Sequence, residues 1–389
     1  MATKPEQFTR DDAKIYVTVN GRDYQGWLSS NIERSLETLS SRFTIPVSLI
    51  PGNPPNIKRQ DAIKVRINDT LVVTGTVLAA EPFYKRDDCG LKVEGRSRSG
   101  DLVACSAIYQ GGQWRNAKLD RIARDLCTPF GIDVTIDTDI GAPIRDLKVE
   151  HGETVVDVLS RAARLRGVLV TTDAQGRVLI TRAGKEKSHG AIVRGVNVIS
   201  MESVGTDAER HSDYFCYGQG NVTHRSSLQT LEVGSTAADP VKAFKKAIQQ
   251  KAQAKDPEMR RYLPLVINAN GNNDASDMQR LVDHTMRVRR GHAYGLKYVV
   301  EGWTWKGKPW EINTRVPIYD DIAGLDGDEW LICEVKQSVD LKEGDVTELL
   351  VRPKEAYDTG PLKTKMKRRQ GKGKRGKDGA VLEVKGDPS

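Results

Sequence analysis

Six histidines, His151, His189, His211, His224, His284 and His292, are the first residues to weigh for metal or acid–base chemistry. None stands in HExxH or HxH spacing. A metal needs a cluster of ligands, so His284, on a helical stretch, reads as a packed or solvated ring. The five cysteines, Cys89, Cys105, Cys127, Cys216 and Cys333, are scattered and odd in number, with no CxxC pair. That argues against a disulfide framework and against structural zinc. Cys127 falls in a helical apolar stripe and reads as a buried thiol. Neighbouring carboxylates occur at Asp87-Asp88 and Asp320-Asp321. Glycoside hydrolysis needs two carboxyls facing one another across roughly 5–9 Å, which linear spacing does not establish. Turn chemistry and solvated charge account for such pairs. No GxSxG elbow or Walker loop is present. Gly371-Lys372-Gly373-Lys374-Arg375-Gly376 resembles a phosphate loop only in composition, because no strand precedes it and no Ser or Thr follows the lysine. No catalytic, cofactor-binding or metal-ligating residue is therefore expected.

The aromatics cluster instead. Trp303, Trp305 and Trp310 fall within eight positions around a Lys306-Gly307-Lys308-Pro309 turn. Alternation places Trp303 and Trp305 on one face of a strand. Core packing of a hairpin is the favoured reading; the alternative is that the three are interface anchors, since Trp is enriched where assemblies bury surface. Trp114 precedes a helix and reads as a residue that staples the helix entry.

The elements that would carry these residues change along the chain. Residues 13–19 alternate, and Asn20-Gly21 signals a tight hairpin. Phe43, Ile45, Val47 and Leu49 alternate, as do Ile63, Val65 and Ile67, followed by returns over 71–77, 81–84 and 91–96. Many short strands suggest a small barrel or sandwich. After Tyr109 the period shifts. Leu119, Ile122, Ala123, Leu126 and Cys127 form one helix face capped by Asn116, and Val155, Val158, Leu159, Ala162 and Ala163 form a second that ends at Gly167. A hairpin over 168–181 follows. Strands resume from about 193. A helix from Asp239 through Ala252 and another over 274–290 are expected before strands at 298–303, 315–319, 329–337 and 348–351. The fold class expected is α+β and mainly β, with two β-barrel-like domains, 1–105 and 195–360. An α+β insertion domain at 106–194 separates them, and a helical insertion at about 238–292 interrupts the second. The sequence shows no clean internal repeat.

The 389 residues carry a formal charge of +8, with 38% hydrophobic and 29% charged residues. Ten basic and three acidic residues lie in 361–389, so that tail holds +7 of the +8 and residues 1–360 are near neutral. A broad phosphate-binding face on the body is not implied. The tail, with Lys363, Lys365, Lys367, Arg368, Arg369, Lys372, Lys374 and Arg375, is expected to be a disordered, partner-binding arm. No apolar run approaches the roughly 18 residues of a membrane span. The N-terminus lacks a signal-peptide core, so synthesis and assembly in a cytoplasm are expected.

The segment Tyr109-Gln110-Gly111-Gly112-Gln113-Trp114-Arg115-Asn116, continuing through Leu119 to Cys127, resembles the baseplate hub proteins of Mu-like contractile-tailed phages, a late-control-D-like hub family. So do Arg161-Ala162-Ala163-Arg164-Leu165-Arg166-Gly167-Val168 with its hairpin, and Glu301-Gly302-Trp303-Thr304 leading to Arg315-Val316-Pro317. The resemblance covers about residues 10–358 and leaves out the tail. It implies a homotrimeric ring in which each subunit carries two similar β-barrel domains, giving a quasi-sixfold surface. The ring would dock the hexameric tail tube on one side and the trimeric membrane-piercing spike on the other, in the virion tail. The tape-measure protein is a further candidate partner. DNA would pass through the lumen without specific binding, and no stable membrane insertion is implied. The hub of a tailocin or of a type VI-like secretion spike shares these expectations. A nucleic-acid binder using the tail, or a peptidoglycan hydrolase, is the alternative of another class.

Overall fold

The computed structural model describes Phe8 and residues 13–24, 30–48, 56–86, 88–219, 249–268, 275–340 and 344–357. Mainly β is what the chain is. The first β unit holds β1 (Ile15–Val19), β2 (Arg22–Tyr24), β3 (Asn31–Ser35), β4 (Arg42–Ser48), β5 (Ala62–Ile67), β6 (Thr70–Lys85) and β7 (Asp88–Ser97). Asn20 and Gly21 take φ of 49° and 78°, the left-handed pair a two-residue hairpin requires. Alternation buries Ile15, Val17, Val19, Ile63, Val65, Ile67, Phe43 and Ile45 in one core. The returns expected at 71–77 and 81–84 are one continuous strand, β6, which bends at a bulge between Val77 and Ala79 rather than ending.

A middle unit follows: α1 (Gly100–Ala104), β8 (Gln113–Ala117), α2 (Leu119–Cys127), β9 (Val134–Ile136), β10 (Ile144–Lys148), α3 (Val155–Arg166), β11 (Leu169–Thr172) and β12 (Val178–Thr181). The apolar stripes of α2 and α3 meet in its core. Asn116 does not cap α2. It lies in β8 at a φ of 47°, and Lys118 occupies the cap position without a side-chain bond. Trp114 is buried in β8, stacks on Tyr109 at 4.1 Å and donates from Nε1 to Asp125 Oδ2 at 2.9 Å, which ties β8 to α2. The start of α3 is a capping box: Thr154 Oγ1 accepts from the Asp157 backbone N–H, and Asp157 accepts from the Thr154 N–H. Gly167, at a φ of 63°, ends it.

The second β unit contains β13 (Glu186–Lys187), β14 (Ile192–Val193) and β15 (Val198–Ser203). A small sheet comes next, β16 (Asp213–Gln219), β17 (Gln249–Lys255) and β18 (Pro264–Asn268), covered by α4 (Ala275–His292). The unit resumes with β19 (Leu296–Glu301), β20 (Thr304–Trp305), β21 (Lys308–Pro309), β22 (Thr314–Asp320), β23 (Leu325–Asp340) and β24 (Gly344–Arg352). Part of the expected helix over 239–252 is overturned. Residues 249–252 belong to β17, which pairs with β16 and buries Ala252 and Ala254 while Gln253 and Lys255 face out, a period of two. Residues 239–248 lie outside the described residues. On α4, Met278, Val282 and Met286 pack on Tyr214 and Cys216.

The two β units are not separate sheets. They run together in the order β15-β19-β24-β23-β3-β4-β7-β6-β5-β1-β2, with β22 also on β23 and β13 and β14 on β22. The join is the antiparallel pairing of Glu334–Ser338 with Asn31–Ser35.

This order contains a repeat that the sequence hides. The run β3-β4-β7-β6-β5 matches β15-β19-β24-β23-β22, strand for strand and connection for connection. The long strands β6 and β23 each have 16 residues. Facing the preceding strand, each skips its third residue, Val72 in β6 and Gly327 in β23. Facing the following strand, each skips its ninth, Leu78 and Cys333. The repeat differs at its rim, where β1 pairs antiparallel with β5 but β13 and β14 pair parallel with β22.

The capping box gives a test of the middle unit. Thr154→Ala is expected to lower its stability by about 1 kcal/mol, read as a lower urea midpoint at unchanged slope.

Candidate functional site

The tryptophan segment lies at the join of the two β units. Strand β19 ends at Glu301, and Gly302, at a φ of 72°, turns the chain. Trp303 lies in the bend, and only Thr304 and Trp305 form β20, so Trp303 and Trp305 do not share a strand face. Trp303 enters the core of the first unit, where its Nε1 donates to the Ser338 carbonyl at 2.9 Å. Trp305 and Trp310 enter the core of the second unit, edge to face with ring centres 6.1 Å apart. All three are buried within the chain, the most exposed at 6%. Gly190 makes room for them: a Cβ there would stand 2.7 Å from both Trp305 and Trp310 ring atoms. Phe8 covers Trp305 at 5.3 Å.

Polar side chains complete the join. Arg34, on β3, is buried and donates to the Trp310 carbonyl at 2.6 Å and to Gln337 Oε1 at 3.3 Å. Gln337, on β23, donates back to the Trp303 carbonyl at 3.1 Å. Desolvation lowers the Arg34 guanidinium to about 10, against the opposing pull of Glu311. The space beside Trp305, Trp310, His189 and Glu311 is a cavity of about 10 Å³, room for about one water and no cofactor.

A second group of polar contacts ties α4 to its neighbours. Arg210 and Asp256 are both buried and paired at 2.8 Å. Glu258 accepts from Arg210 at 3.0 Å, from Tyr294 Oη at 2.5 Å and from Arg290. Burial raises the Glu258 carboxyl, but these donors outweigh it and hold the group below the usual range. At the same C-terminal end of α4, Glu37 accepts from Tyr357 Oη at 2.7 Å and pairs with Arg352, with His292 Nε2 at 3.5 Å.

The residues weighed for chemistry fall apart in space. No group of His, Cys, Asp and Glu among the described residues could hold a metal. None of the five cysteines is in a disulfide, and burial raises the Cys127 and Cys333 thiols to about 12, away from nucleophilic use. Asp320 is buried and accepts from Tyr298 Oη at 3.0 Å and from the backbone N–H groups of Ile322 and Ala323, which makes it the organiser of a hairpin tip. Asp321 pairs outward with Arg194. His284 lies on α4 facing Arg164 of α3 and Arg287; burial and these two cations depress it to about 4. The tail residues Lys363 to Arg375 lie outside the described residues. No described helix is long and apolar enough to cross a membrane. What sequence reasoning missed is the join itself, because Arg34 and Gln337 stand 303 positions apart and carry no local signal.

Comparison with known proteins agrees with this picture of a scaffold. Residues 99–182 match the family model "baseplate hub protein gp44-like, second domain", and residues 14–97 match "Mu phage baseplate assembly protein GpP-like, N-terminal". The chain is 28% identical over 374 residues to baseplate hub protein gp44 of Escherichia phage Mu, covering 95% of each. It is similar to the crystal structure of the 43 kDa tail protein of prophage MuSo2 from Shewanella oneidensis, at 31% identity and a TM-score of 0.74, over 89% of this chain and 100% of that one. At 11% identity and a TM-score of 0.55, over 89% of this chain and 79% of the other, an E. coli component of the type VI secretion system shares the fold.

Two outcomes follow from the packing. Trp303→Ala is expected to cost about 3–5 kcal/mol in denaturant unfolding, since a buried indole is removed from between the two units. His284 stays neutral in the folded state down to about pH 4. The unfolded chain takes up that proton near pH 6.5, so stability is full above 6.5 and declines as pH falls from there to 4, by at most about 1.4 kcal/mol per unit. In His284→Gln that part of the slope is expected to be absent when unfolding free energies are compared across the window.

Proposed function

The chain belongs to the family of baseplate hub tail proteins of Mu-like contractile-tailed phages, and from that premise we propose that three copies form the ring that joins tail tube to spike. It is a phage baseplate hub protein and a component of the virion tail. The observation that carries the ring reading is the strand-for-strand repeat of β3-β4-β7-β6-β5 in β15-β19-β24-β23-β22. One chain thus carries two equivalent β units, and three chains present six. A six-unit surface suits a hexameric tube, while the threefold symmetry of the chains suits a trimeric spike.

The role is mechanical. Load from a contracting tail reaches the spike through folded interfaces, and the buried polar groups described above brace those interfaces. Non-enzymatic action agrees with a relative known as a baseplate hub protein and with titratable groups that are engaged in structural bonds. Assembly takes place in the host cytoplasm, and the lumen lets DNA pass once the spike departs. The same ring would serve a headless contractile device, and the fold shared with a type VI component favours keeping that reading second.

Light scattering of the purified chain is expected to give three times the chain mass when alone, or, with its co-expressed spike, the mass of three chains plus one trimeric spike. A stable dimer in both would refute the ring.

A further inference from the structure

The repeat has one unequal feature. In the second unit, β23 runs past the end of β22, and the edge thus exposed is taken by β3: Glu334 to Ser338 face Ser35 to Asn31, with Leu36 N–H donating to the Cys333 carbonyl and Val339 N–H to the Ser30 carbonyl. In the first unit, β6 likewise runs past β5, whose register ends at Thr76, with Gln60 and Asp61 bonding the Val77 backbone just beyond it. Among the described residues no strand takes the edge of β6 beyond that point; β7 holds the other side. The counterpart of β3 is β15, which pairs with β19 alone among the named strands. Following the registers through β24 and β19 on one side, and β7 and β4 on the other, sets Glu202–Thr206 in the place of Asn31–Ser35. Every residue from Glu202 to Thr206 is exposed.

We propose that the Ala79–Phe83 edge of β6 pairs antiparallel with Glu202–Thr206 of a second copy, reproducing between chains the β23–β3 join made within the chain. This rests on the ring reading above and names its contact. The side chains at the two edges support it. Leu78 holds the bulge position that Cys333 holds in the other unit; Cys333 is 1% exposed under the β3 join, whereas Leu78 is 49% exposed. Tyr84 corresponds to Val339, which packs on the core across the join, yet Tyr84 is 88% exposed. Val204, 40% exposed, corresponds to Glu33 on β3. Three of the large apolar side chains left in water therefore stand where the internal join buries or covers their counterparts.

Pro82 corresponds to Gln337, at a position whose N–H faces the added strand, so the pairing lacks one donor. A proline on that side also keeps the unassembled edge from recruiting other strands. The contact is heterologous, one copy giving β6 and the next giving 202–206. Six units close after three copies when each of the six junctions turns through a sixth of a circle.

By the internal register Glu81 falls opposite Val204 of the partner subunit, matching Lys336 opposite Glu33 at a non-hydrogen-bonded pair. Cα atoms there stand about 4.5 Å apart, within disulfide reach. The test is the full chain carrying Glu81→Cys and Val204→Cys, with Cys89→Ser and Cys105→Ser to remove the exposed native thiols. On mild oxidation, with the spike present if the trimer needs it, covalent dimers and trimers are expected from the double variant and none from either single one. A companion variant, Leu78→Asp with Tyr84→Asp, is expected to keep the wild-type thermal midpoint and to weaken association by about tenfold or more. A trimer by mass that neither cross-links nor responds to the aspartates overturns the pairing and leaves the ring reading standing. A chain that stays monomeric with and without its spike overturns both.

Discussion

A β-strand edge is a row of amide donors and carbonyl acceptors that another strand, or water, has to satisfy. In this chain β23 is more than twice as long as β22, so its outer edge outlasts its partner by about half its length. The requirement is met by β3, from about 300 residues earlier, and that single choice ties the two β units into one sheet. The tryptophans and the buried arginine are consequences of the join. Trp303 packs into the core of the first unit and Trp310 into that of the second, and from one face of the join Arg34 and Gln337 donate to the Trp310 and Trp303 carbonyls. Desolvating a guanidinium is costly. The Arg34 contacts to backbone and amide oxygens show that the cost is accepted where two rigid units have to keep one orientation.

The same logic explains why perturbed groups do not mark a reactive centre. Strongly shifted titrating groups often cluster where chemistry occurs. Here they sit at seams: Arg34 at the β3–β23 join, Glu258 and Arg210 between α4 and the small sheet, His284 between α4 and α3, and Cys333 under the first strand of the other unit. Each is engaged by neighbours on a different element or is buried between elements. What these groups do is hold elements in fixed relation.

Much of the local structure was legible because local signals are strong. The Asn20-Gly21 hairpin, the two apolar stripes at 119–127 and 155–163, and the stop at Gly167 follow from backbone preference and periodicity. The failures have a physical cause as well. Gln249–Lys255 reads as polar and alanine-rich, with a helical bias, and becomes a strand because β16 offers an edge and α4 covers Ala252 and Ala254. Asn116 is of a type that suits a cap, yet it lies within β8, with a left-handed φ of 47°, and Lys118 holds the cap position. The tryptophans give a signal of importance without direction: spacing suggests one face, but the chain bends at Gly302-Trp303, so that only Trp305 lies in a strand and the two enter different cores. The repeat was invisible because it is preserved in strand length and bulge position, not in residue type.

The divergence of the two halves is itself physically ordered. Positions at the internal join suit a contact made as the chain folds: Cys333 is small, apolar and buried, and Lys336, opposite Glu33, is held by Glu348 at 3.0 Å. The corresponding positions on the open edge have to tolerate water before they meet anything. Glu81 and Glu202 are charged, Pro82 removes a donor, and Gly205 lies where a Cβ would strike the Ala293 carbonyl at 2.2 Å, which holds its segment against its own unit. An edge built this way stays soluble as a free subunit, because no long unbroken ladder is offered to other strands. By the pairing proposed above, its partner is a complementary edge in the right register, brought by a copy of the same chain. The repeat gives the chain two corresponding edges: one is closed by its own β3 as the chain folds, and the other, by the pairing proposed above, is guarded until a second copy arrives.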